Sequence, residues 1–584
     1  MKYPMLEELP TMRYTIEDFR GYNHNLRIAD GEFYDMQNMT SSYYPVLSPR
    51  RKRGVYASPD NAQGLIAKDA LCYIDGSHFV MNEYRIDMGL SVAEEDCPKT
   101  LVSMGAYVII LPDKKYINTA DMTDYGNIEA SYAARSDVTF SLCTVDGAEY
   151  TGAIVTPTEP ESPNNLDMWI DTSSVPHTLK KYSSTSAVWV AIPTTYIKIS
   201  ATGIGAAFEQ YDGVTISGIT AENVQDLNTS AVVWSRGDDY IVVVGMLDMT
   251  TTQSVEDGVI KVERKMPNLD FVIESENRLW GCRYGVATNG DVVNEIYSCK
   301  LGDFKNWNCF MGLSTDSYVA SCGTDGRFTG AITHLGYPLF FKEKYLHKVY
   351  GNFPSNFQIQ TTACRGVQKG CERSLDIVNE VLYYKSRSGV CAYDGSLPAE
   401  ASSQFGEEMY SDAVACAHHN KYYISMKDSA NEYHLFVLDT AKGMWHKEDN
   451  TQVYDFCSCR EELYYIDKAD GKIKTIFGSG TTDTDPVSWM VETGVIGTDS
   501  PDKKYVSRLS VRMALDIGTK VSLSVEYDSG GEWHHLFSMT GTKLQSFVVP
   551  VRPRRSDHMR LRIEGVGSAK IYSITKTVEE GSDI

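Results

Sequence analysis

A strand–turn–strand pattern that recurs about every 40 residues constrains this chain more than any other feature. Each copy is an apolar, tyrosine-rich run, followed by a polar turn and a second run of strand-forming residues. Aligned on one apolar position, the copies lie 60, 43, 40 and 41 residues apart, at Leu279, Leu339, Leu382, Tyr422 and Leu463. Two similar hairpins occur earlier, around residues 71–74 and 107–110.

This repeat length, with several strands per unit, is typical of the blades of a β-propeller. Blades stack around an axis because a single blade cannot bury both faces of its own sheet. The seven hairpins are enough for a closed ring, and convincing helical periodicity is almost absent. The sequence therefore predicts an all-β protein with a propeller of six to seven blades. A series of unrelated β-meanders is the alternative.

The residue pattern changes between the early and the late hairpins, and again after the last hairpin. Short β-runs with Gly and Asp turns follow a proline-spaced stretch at residues 157–165, which predicts a small inserted β-barrel or sandwich. Apolar–polar alternation resumes near Trp489 and predicts a terminal β-sandwich. We predict an N-terminal arm with the first blades (1–125), an inserted β domain (126–265), the remaining blades (266–480) and a C-terminal sandwich (481–584).

The composition argues against some classes of function. The chain has 55 Lys and Arg against 77 Asp and Glu, a net charge of −22, which disfavours tight binding to nucleic-acid phosphates. Residues 1–8 contain no signal-peptide-like apolar run and no stretch of 18 apolar residues follows, so we expect a protein made in a cytoplasm without a membrane anchor. The 13 cysteines form no CxxC pair and are expected to be reduced, partly buried thiols.

Four short features invite an interpretation as functional sites: the turn at 528–533, the loop at 467–472 and the histidine pairs at 418–419 and 534–535. The turn fits most of the Asp-box of sialidases, with Glu526 where that motif has Ser. The loop lacks the regular oxygen ligands of a calcium site and reads better as a hairpin turn. The histidine pairs lack metal-ligand spacing and are expected on the surface or on edge strands. We therefore predict no catalytic, cofactor-binding or metal-binding residue, and a chain that is not an enzyme.

Two basic clusters interrupt the acidic background, at residues 50–53 and 552–555. Neither has the interleaved aromatic residues or the groove-entering helix that a nucleic-acid site would need. We expect solvated turns or salt bridges to an acidic neighbouring subunit.

Two segments carry a family resemblance. The first runs from Phe19-Arg20-Gly21-Tyr22-Asn23 through Gly31-Glu32 and Asn38-Met39 to Leu47-Ser48-Pro49-Arg50 and Gly54. The second runs from Glu295 to Trp307 and contains Ser298 and the step Gly302-Asp303-Phe304. The first resembles the opening of bacteriophage tail proteins. The second resembles a recurring blade segment of phage tail-nozzle and packaged-DNA-stabilisation proteins, of the type found in prophages of Gram-positive bacteria.

The resemblance implies a structural protein of the virion tail, assembled in the cytoplasm of the host bacterium. Its expected partners are copies of itself in a ring, a hexamer first of all, together with the portal, the adaptor and other tail proteins. DNA would pass through the ring without specific binding, and neither a cofactor nor a membrane is implied. The alternatives are a baseplate or tail-tip protein that binds host-surface glycan, and a glycan-cleaving enzyme. Trp169, Trp189 and Trp234 could stack on sugars, although buried core positions fit them better.

Overall fold

The computed structural model describes residues 11–92, 99–287, 290–482, 485–497, 504–551 and 554–580, and these are built almost entirely from β-strands. Helical elements among them are short 3-10 turns: Gly205–Ala207, Glu222–Leu227, Val255–Asp257, Pro354–Asn356, Glu372–Ser374 and Ser403–Phe405. None of the helices in this part of the chain has the length and apolar character needed to cross a bilayer.

In the described residues, seven antiparallel units of four strands form the propeller, which confirms the predicted fold class. With the inner strand first, blade 1 is Ala62–Ala67, Leu71–Asp75, His78–Met81 and Tyr84–Asp87, and blade 2 is Thr100–Met104, Tyr107–Leu111, Lys115–Asn118 and Tyr125–Asn127. Blade 3 is Phe271–Ser275, Arg278–Val286, Val292–Ser298 and Tyr318–Ser321, and blade 4 is Phe328–His334, Tyr337–Lys342, Tyr345–Tyr350 and Gln358–Ala363. Blade 5 is Asp376–Val378, Val381–Ser386, Gly389–Tyr393 and Ala399–Glu400, and blade 6 is Ser411–His418, Lys421–Lys427, Tyr433–Asp439 and Met444–Lys447. Blade 7 is Val453–Cys459, Glu462–Asp467, Ile473–Thr475 and Gly54–Ala57.

The tyrosine-rich runs that revealed the repeat are the second strands of the blades. In blade 4, Leu339, Phe340 and Phe341 are consecutive and all fully buried. This happens because each blade packs against a neighbour on both faces, so that the strand is a continuous apolar run rather than an alternating one. Apolar clusters fill the interfaces between neighbouring blades around the ring.

A strand from near the N-terminus closes the ring. Gly54–Ala57 pairs with Ile473–Thr475 of blade 7 and, on its other side, with Thr481–Thr482. The inner strand of blade 7 contacts that of blade 1. The first and last blades are therefore held together by pairing between residues more than 400 positions apart in the sequence.

One sheet of ten strands joins the propeller to the C-terminal sandwich. Beyond Met444–Lys447 of blade 6 it continues through Gly21–Tyr22, Glu32–Gln37, Ser488–Thr493, Met559–Val566, Lys520–Tyr527 and His534–Thr540. The facing sheet consists of Thr11–Ile16, Ala569–Glu580, Lys504–Leu515 and Gln545–Val549, and a short pair links Met39–Thr40 to Ser48–Pro49. Trp489, Leu509, Leu561 and Ile571 belong to the core that includes both the sandwich and blades 4 to 6.

The inserted domain lies between blades 2 and 3 and is a sandwich with an added small sheet. Its main sheets are Ala130–Ala133, Lys261–Arg264, Gly213–Ser217 and Ser230–Val232, and Ser235–Gly237, Tyr240–Val244, Tyr196–Ser200, Val138–Cys143 and Thr251–Gln253. The small sheet is Ile154–Thr156, Met168–Asp171, Thr178–Ser183 and Val188–Ala191. Phe140, Ile199, Phe208 and Ile241 form part of the core between the main sheets.

A buried polar network fixes this insert to blade 3. Arg264 pairs with Asp212 inside the insert, and Asn306 Nδ2 of blade 3 donates to Asp212 Oδ1 at 2.9 Å. The backbone N–H of Gly213 donates to Asn306 Oδ1 at 2.8 Å. Because buried polar groups are costly unless they are paired, this network favours a single orientation of the insert on the propeller.

Candidate functional site

A cavity of about 1220 Å³ lies on the propeller axis, and we call it the axial cavity. Its lining comes from the inner parts of blades 1, 2, 3, 4, 5 and 7 and from the segment 266–270 that leads into blade 3. The charged residues of this lining are Lys99, Lys114, Asp270, Asp325, Arg327, Lys342, Glu343, Lys344, Lys369, Glu372, Arg373 and Asp455. Basic residues outnumber acidic ones here, although acidic residues predominate in the chain as a whole.

One arginine ties three blades together across the interior of the ring. Arg373 lies in the 3-10 turn before blade 5, and its Nη1 donates to the carbonyl oxygen of Tyr454 in blade 7 at 2.7 Å. Its Nη2 donates to the carbonyl oxygen of Lys99, next to blade 2, at 3.1 Å. Since these blades are not all neighbours in the ring, the side chain of Arg373 bridges the axis. The cavity is thus obstructed at this level and is a pocket rather than an open bore.

Most charges on the lining are not neutralised by each other. Lys99 pairs with Asp113, and Lys114 Nζ lies 2.7 Å from Glu129 Oε1, both of these acids standing outside the lining. In the described part of the chain, the other five basic and five acidic lining residues form no ion pair within 4 Å. Five of these ten groups are exposed and available to solvent or to a ligand: Asp325, Arg327, Glu343, Lys344 and Lys369.

Two groups show how this environment changes protonation. Burial raises the pKa of Asp455, and nearby Arg373 offsets only part of that increase. The Asp455 carboxylate accepts from the backbone N–H of Leu65 at 2.9 Å. Burial lowers the pKa of Lys342, whose Nζ donates to Asn294 Oδ1 at 2.9 Å and to the Thr324 carbonyl at 2.7 Å. Asp455 and Lys342 therefore lose their charge more easily than the same groups would on the protein surface.

The outer part of the cavity presents exposed charges of both signs. Arg327, Lys344 and Lys369 are exposed, as are Asp325 and Glu343. Guanidinium and ammonium groups bind anions, and carboxylates accept hydrogen bonds from hydroxyl groups. The arrangement can therefore hold a polar ligand that offers both anionic and hydroxyl groups.

A possible metal group lies elsewhere, in a turn of blade 6. Within the described residues, only Asp428, Glu432 and His434 bring three such ligand atoms together. His434 Nε2 is 2.8 Å from Asp428 Oδ2, and the backbone N–H groups of Ala430 and Glu432 donate to Asp428 Oδ1. The carboxylate thus has structural partners in its own turn.

The features singled out in the sequence do not line the axial cavity. The turn at 528–533 joins two strands of the terminal sandwich and is braced by a hydrogen bond from Gly531 N to Glu526 Oε1 at 2.9 Å. The loop at 467–472 is a hairpin turn, as predicted, and Lys474 Nζ lies 2.7 Å from Asp467 Oδ2.

The histidine pairs differ from each other. His534 and His535 are exposed at the start of an edge strand, where such positions were expected. His418, by contrast, is buried, and its Nδ1 lies 2.9 Å from Ser458 Oγ of blade 7. His418 ends the strand Ser411–His418, which is an edge strand of its sheet, one of the two expected positions, and it is buried there because this inner strand of blade 6 packs against blade 7. His419 is exposed, with Nε2 3.4 Å from Glu461 Oε2.

The basic cluster at 50–53 has partners within its own chain. Arg50 Nη2 lies 3.1 Å from Asp449 Oδ2, and Arg53 Nη2 lies 2.9 Å from Glu448 Oε2. The expected solvated turn or subunit contact is therefore corrected for these two arginines, which hold the N-terminal arm to the chain after blade 6. In the second cluster, Arg554 lies over the ring of Tyr527 at 5.0 Å, while Arg552 and Pro553 are outside the described residues.

The cysteines and tryptophans fit structural roles. Twelve described cysteines are free, and all are buried or half-buried. Burial raises the pKa of Cys72 to about 12, which keeps this thiol protonated. Trp169 is buried and donates from Nε1 to the Thr156 carbonyl at 2.8 Å, whereas Trp189 and Trp234 are half-buried.

Similarity to known proteins is found among solved structures. No family model matches this chain, and no curated protein does. Among solved structures, it is similar to an exo-β-1,3-galactanase from Phanerochaete chrysosporium, with 9% identity and a TM-score of 0.20 over 52% of this chain and 94% of that one. A family 43 arabinoxylan arabinofuranohydrolase from Bacillus subtilis matches with 7% identity and a TM-score of 0.17, again over 52% and 94%. The extracellular domain of a hybrid two-component system protein from B. thetaiotaomicron matches with 7% identity and a TM-score of 0.18 over 92% of this chain and 99% of that one.

These matches correct one prediction. The expectation that the chain is not an enzyme is contradicted, because several of the matching structures are glycoside hydrolases. With at most 10% identity and TM-scores near 0.2 among these hydrolases, the matches assign neither a reaction nor a catalytic residue to this chain.

Proposed function

We propose that this chain is a structural subunit of a bacteriophage tail, and that copies of it, six as the first expectation, form a ring around the path of the packaged DNA. The observation that carries the proposal is the structural role of the segment 19–54, which resembles the opening of phage tail proteins. In this fold the segment is the junction between the propeller and the terminal sandwich.

The residues of that motif have specific structural tasks. Gly21 has φ +86°, and a Cβ there would overlap the carbonyl oxygen of Trp445 in blade 6. Asn38 also adopts a positive φ, and its Nδ2 donates to the Ser488 carbonyl at 2.7 Å. Arg50 forms the ion pair with Asp449 described above. Such constraints suit a motif whose role is to hold domains together.

The shared sheet supports a role in assembly. Blade 6, the N-terminal arm and the sandwich are hydrogen-bonded into ten consecutive strands, which couples propeller and sandwich into one block. Blocks of this kind can form a ring through head-to-tail interfaces that close by rotation. The net charge of −22, multiplied around such a ring, would repel DNA phosphates and let the duplex slide. Because Arg373 bridges the propeller axis, DNA would not pass through the propeller of one subunit. It would pass through the opening at the centre of the ring of subunits.

Labelling of purified phage particles tests this proposal. A tag on this protein, imaged by immunogold electron microscopy, should mark the region between the head and the distal end of the tail. The purified protein, alone or with portal and adaptor, should form rings visible by negative stain. A label absent from particles would overturn the proposal, and so would a monomer that forms no ring with either partner.

The axial cavity favours a second candidate function, recognition of host-surface glycan by a tail-tip protein. A pocket with many unpaired charges is suited to bind a polar ligand. In that case the gold label should mark the distal tip of the particle, and the isolated protein should bind to a glycan array.

A further inference from the structure

We infer that the axial cavity binds an acidic oligosaccharide, a chain of several sugar rings that carries carboxylate or other anionic groups. This inference deepens the second candidate function and does not depend on ring formation.

The size of the cavity is the first argument. Pockets for drug-sized ligands enclose roughly 300–1000 Å³. The axial cavity, at about 1220 Å³, exceeds that range and has room for several sugar rings. Because Arg373 obstructs the interior, a ligand would lie within the cavity rather than thread through the ring.

The charges of the lining indicate the class of ligand. Arg327, Lys344 and Lys369 are exposed on the lining without a carboxylate within 4 Å among the described residues, and they can bind anionic groups. Asp325, Glu343 and Glu372 stand among them and can accept hydrogen bonds from hydroxyl groups. These carboxylates repel the phosphates of a nucleic acid and the anionic groups of a sugar alike, but an acidic sugar also offers hydroxyl donors on every ring, which the carboxylates can accept.

Among the aromatic residues of the lining, Tyr284 is half-buried and can offer part of its ring to the apolar face of a sugar, whereas Phe328 is buried. Tyr284 and Phe328 line the cavity, and Lys342 Nζ lies 5.4 Å and 4.7 Å from their ring centres. The wall therefore combines part of one ring face with a buried ammonium group.

Titration calorimetry of the full chain with a hexasaccharide of galacturonic acid tests the inference. A neutral cellulose hexasaccharide and a short single-stranded DNA are the comparison ligands. We expect the acidic hexasaccharide to bind in a one-to-one ratio, and its Kd to rise with salt. If it does not bind, or if the DNA binds as tightly, the inference is wrong.

Charge variants locate the site. The triple variant Arg327→Glu, Lys344→Glu and Lys369→Glu should raise the Kd of the acidic hexasaccharide about tenfold or more. The matched control Arg51→Glu, Lys181→Glu and Lys261→Glu changes exposed positions outside the cavity and should leave Kd within about twofold. Circular dichroism verifies that both variants fold. An equal effect of the two variants would mean that only the overall charge matters.

A second variant separates a saccharide site from a general anion site. Asp325→Asn, Glu343→Gln and Glu372→Gln together remove negative charge, which by attraction alone would strengthen the binding of any anion. If these carboxylates accept hydroxyl groups of the sugar, the variant should bind the acidic hexasaccharide more weakly while binding DNA no less tightly. Tighter binding of both ligands would overturn the inference, whatever the particle labelling shows about the tail.

Discussion

Single buried histidines give this protein a specific dependence on pH. Burial lowers the pKa of His446 to about 3 and that of His347 to about 4, so both rings are neutral in the folded chain. In the unfolded chain they take up a proton below about pH 6.5. Because the folded pKa is the lower one, their contribution to stability is complete above that pH and is lost as the pH falls towards 4. Each histidine should lower the free energy of unfolding by about 1.4 kcal/mol per pH unit in this window.

Replacing one of these histidines tests its effect on the pH dependence of stability. His446→Leu removes a buried Nδ1 that has no hydrogen-bond partner, and it should reduce the slope of stability against pH between about 6.5 and 5. Urea unfolding at several pH values measures this slope, with the exposed His535→Leu as control. A slope identical to that of the original chain would contradict the explanation.

Gly21 illustrates backbone geometry that only glycine tolerates. Gly21→Ala would place a Cβ against the Trp445 carbonyl at a positive φ, and it should destabilise the fold by about 2 kcal/mol or more. Gly105→Ala is the matched control, because Gly105 also has a positive φ but open space around its Cα, so only about 1 kcal/mol is expected. Thermal unfolding compares the two, and equal losses would mean that the contact with Trp445 is unimportant.

At the scale of elements, the insert should be removable. Its first and last strands pair directly, with Ala130 opposite Arg264, so the chain leaves and re-enters the propeller at neighbouring points. Replacing residues 131–263 by a short Gly-Ser linker should leave a folded propeller, detected by tryptophan fluorescence and cooperative thermal unfolding. Loss of the folded propeller would show that the network around Asn306 is required for blade 3 itself.

The elements also show what sequence patterns can and cannot predict. The second strands of all seven blades were found, because burial on both faces makes them continuous apolar runs. The outer strand of blade 7 was not found, since Gly54–Ala57 is short and its partner lies far along the chain. The axial cavity was missed for a related reason. Its residues, from Leu65 to Asp455, form no local motif, and only closure of the ring brings them together.

At the scale of the whole molecule, the shared sheet predicts coupled unfolding. Blade 6 and the sandwich belong to one hydrogen-bonded sheet, and one apolar core includes residues of both. Differential scanning calorimetry should therefore show no separate transition for the C-terminal sandwich, and amide exchange should protect Val491 and Phe436 to a similar degree. An early transition confined to the sandwich would contradict this coupling.

Closure of the ring has a consequence for synthesis on the ribosome. Gly54–Ala57 leaves the ribosome early, whereas its partner Ile473–Thr475 follows more than 400 residues later. At the usual rate of translation the wait is on the order of half a minute. During that time the nascent chain has an unpaired strand and an incomplete propeller. In this state it is most prone to aggregate with other nascent chains. Chaperones that shield this early segment should therefore raise the yield of folded protein.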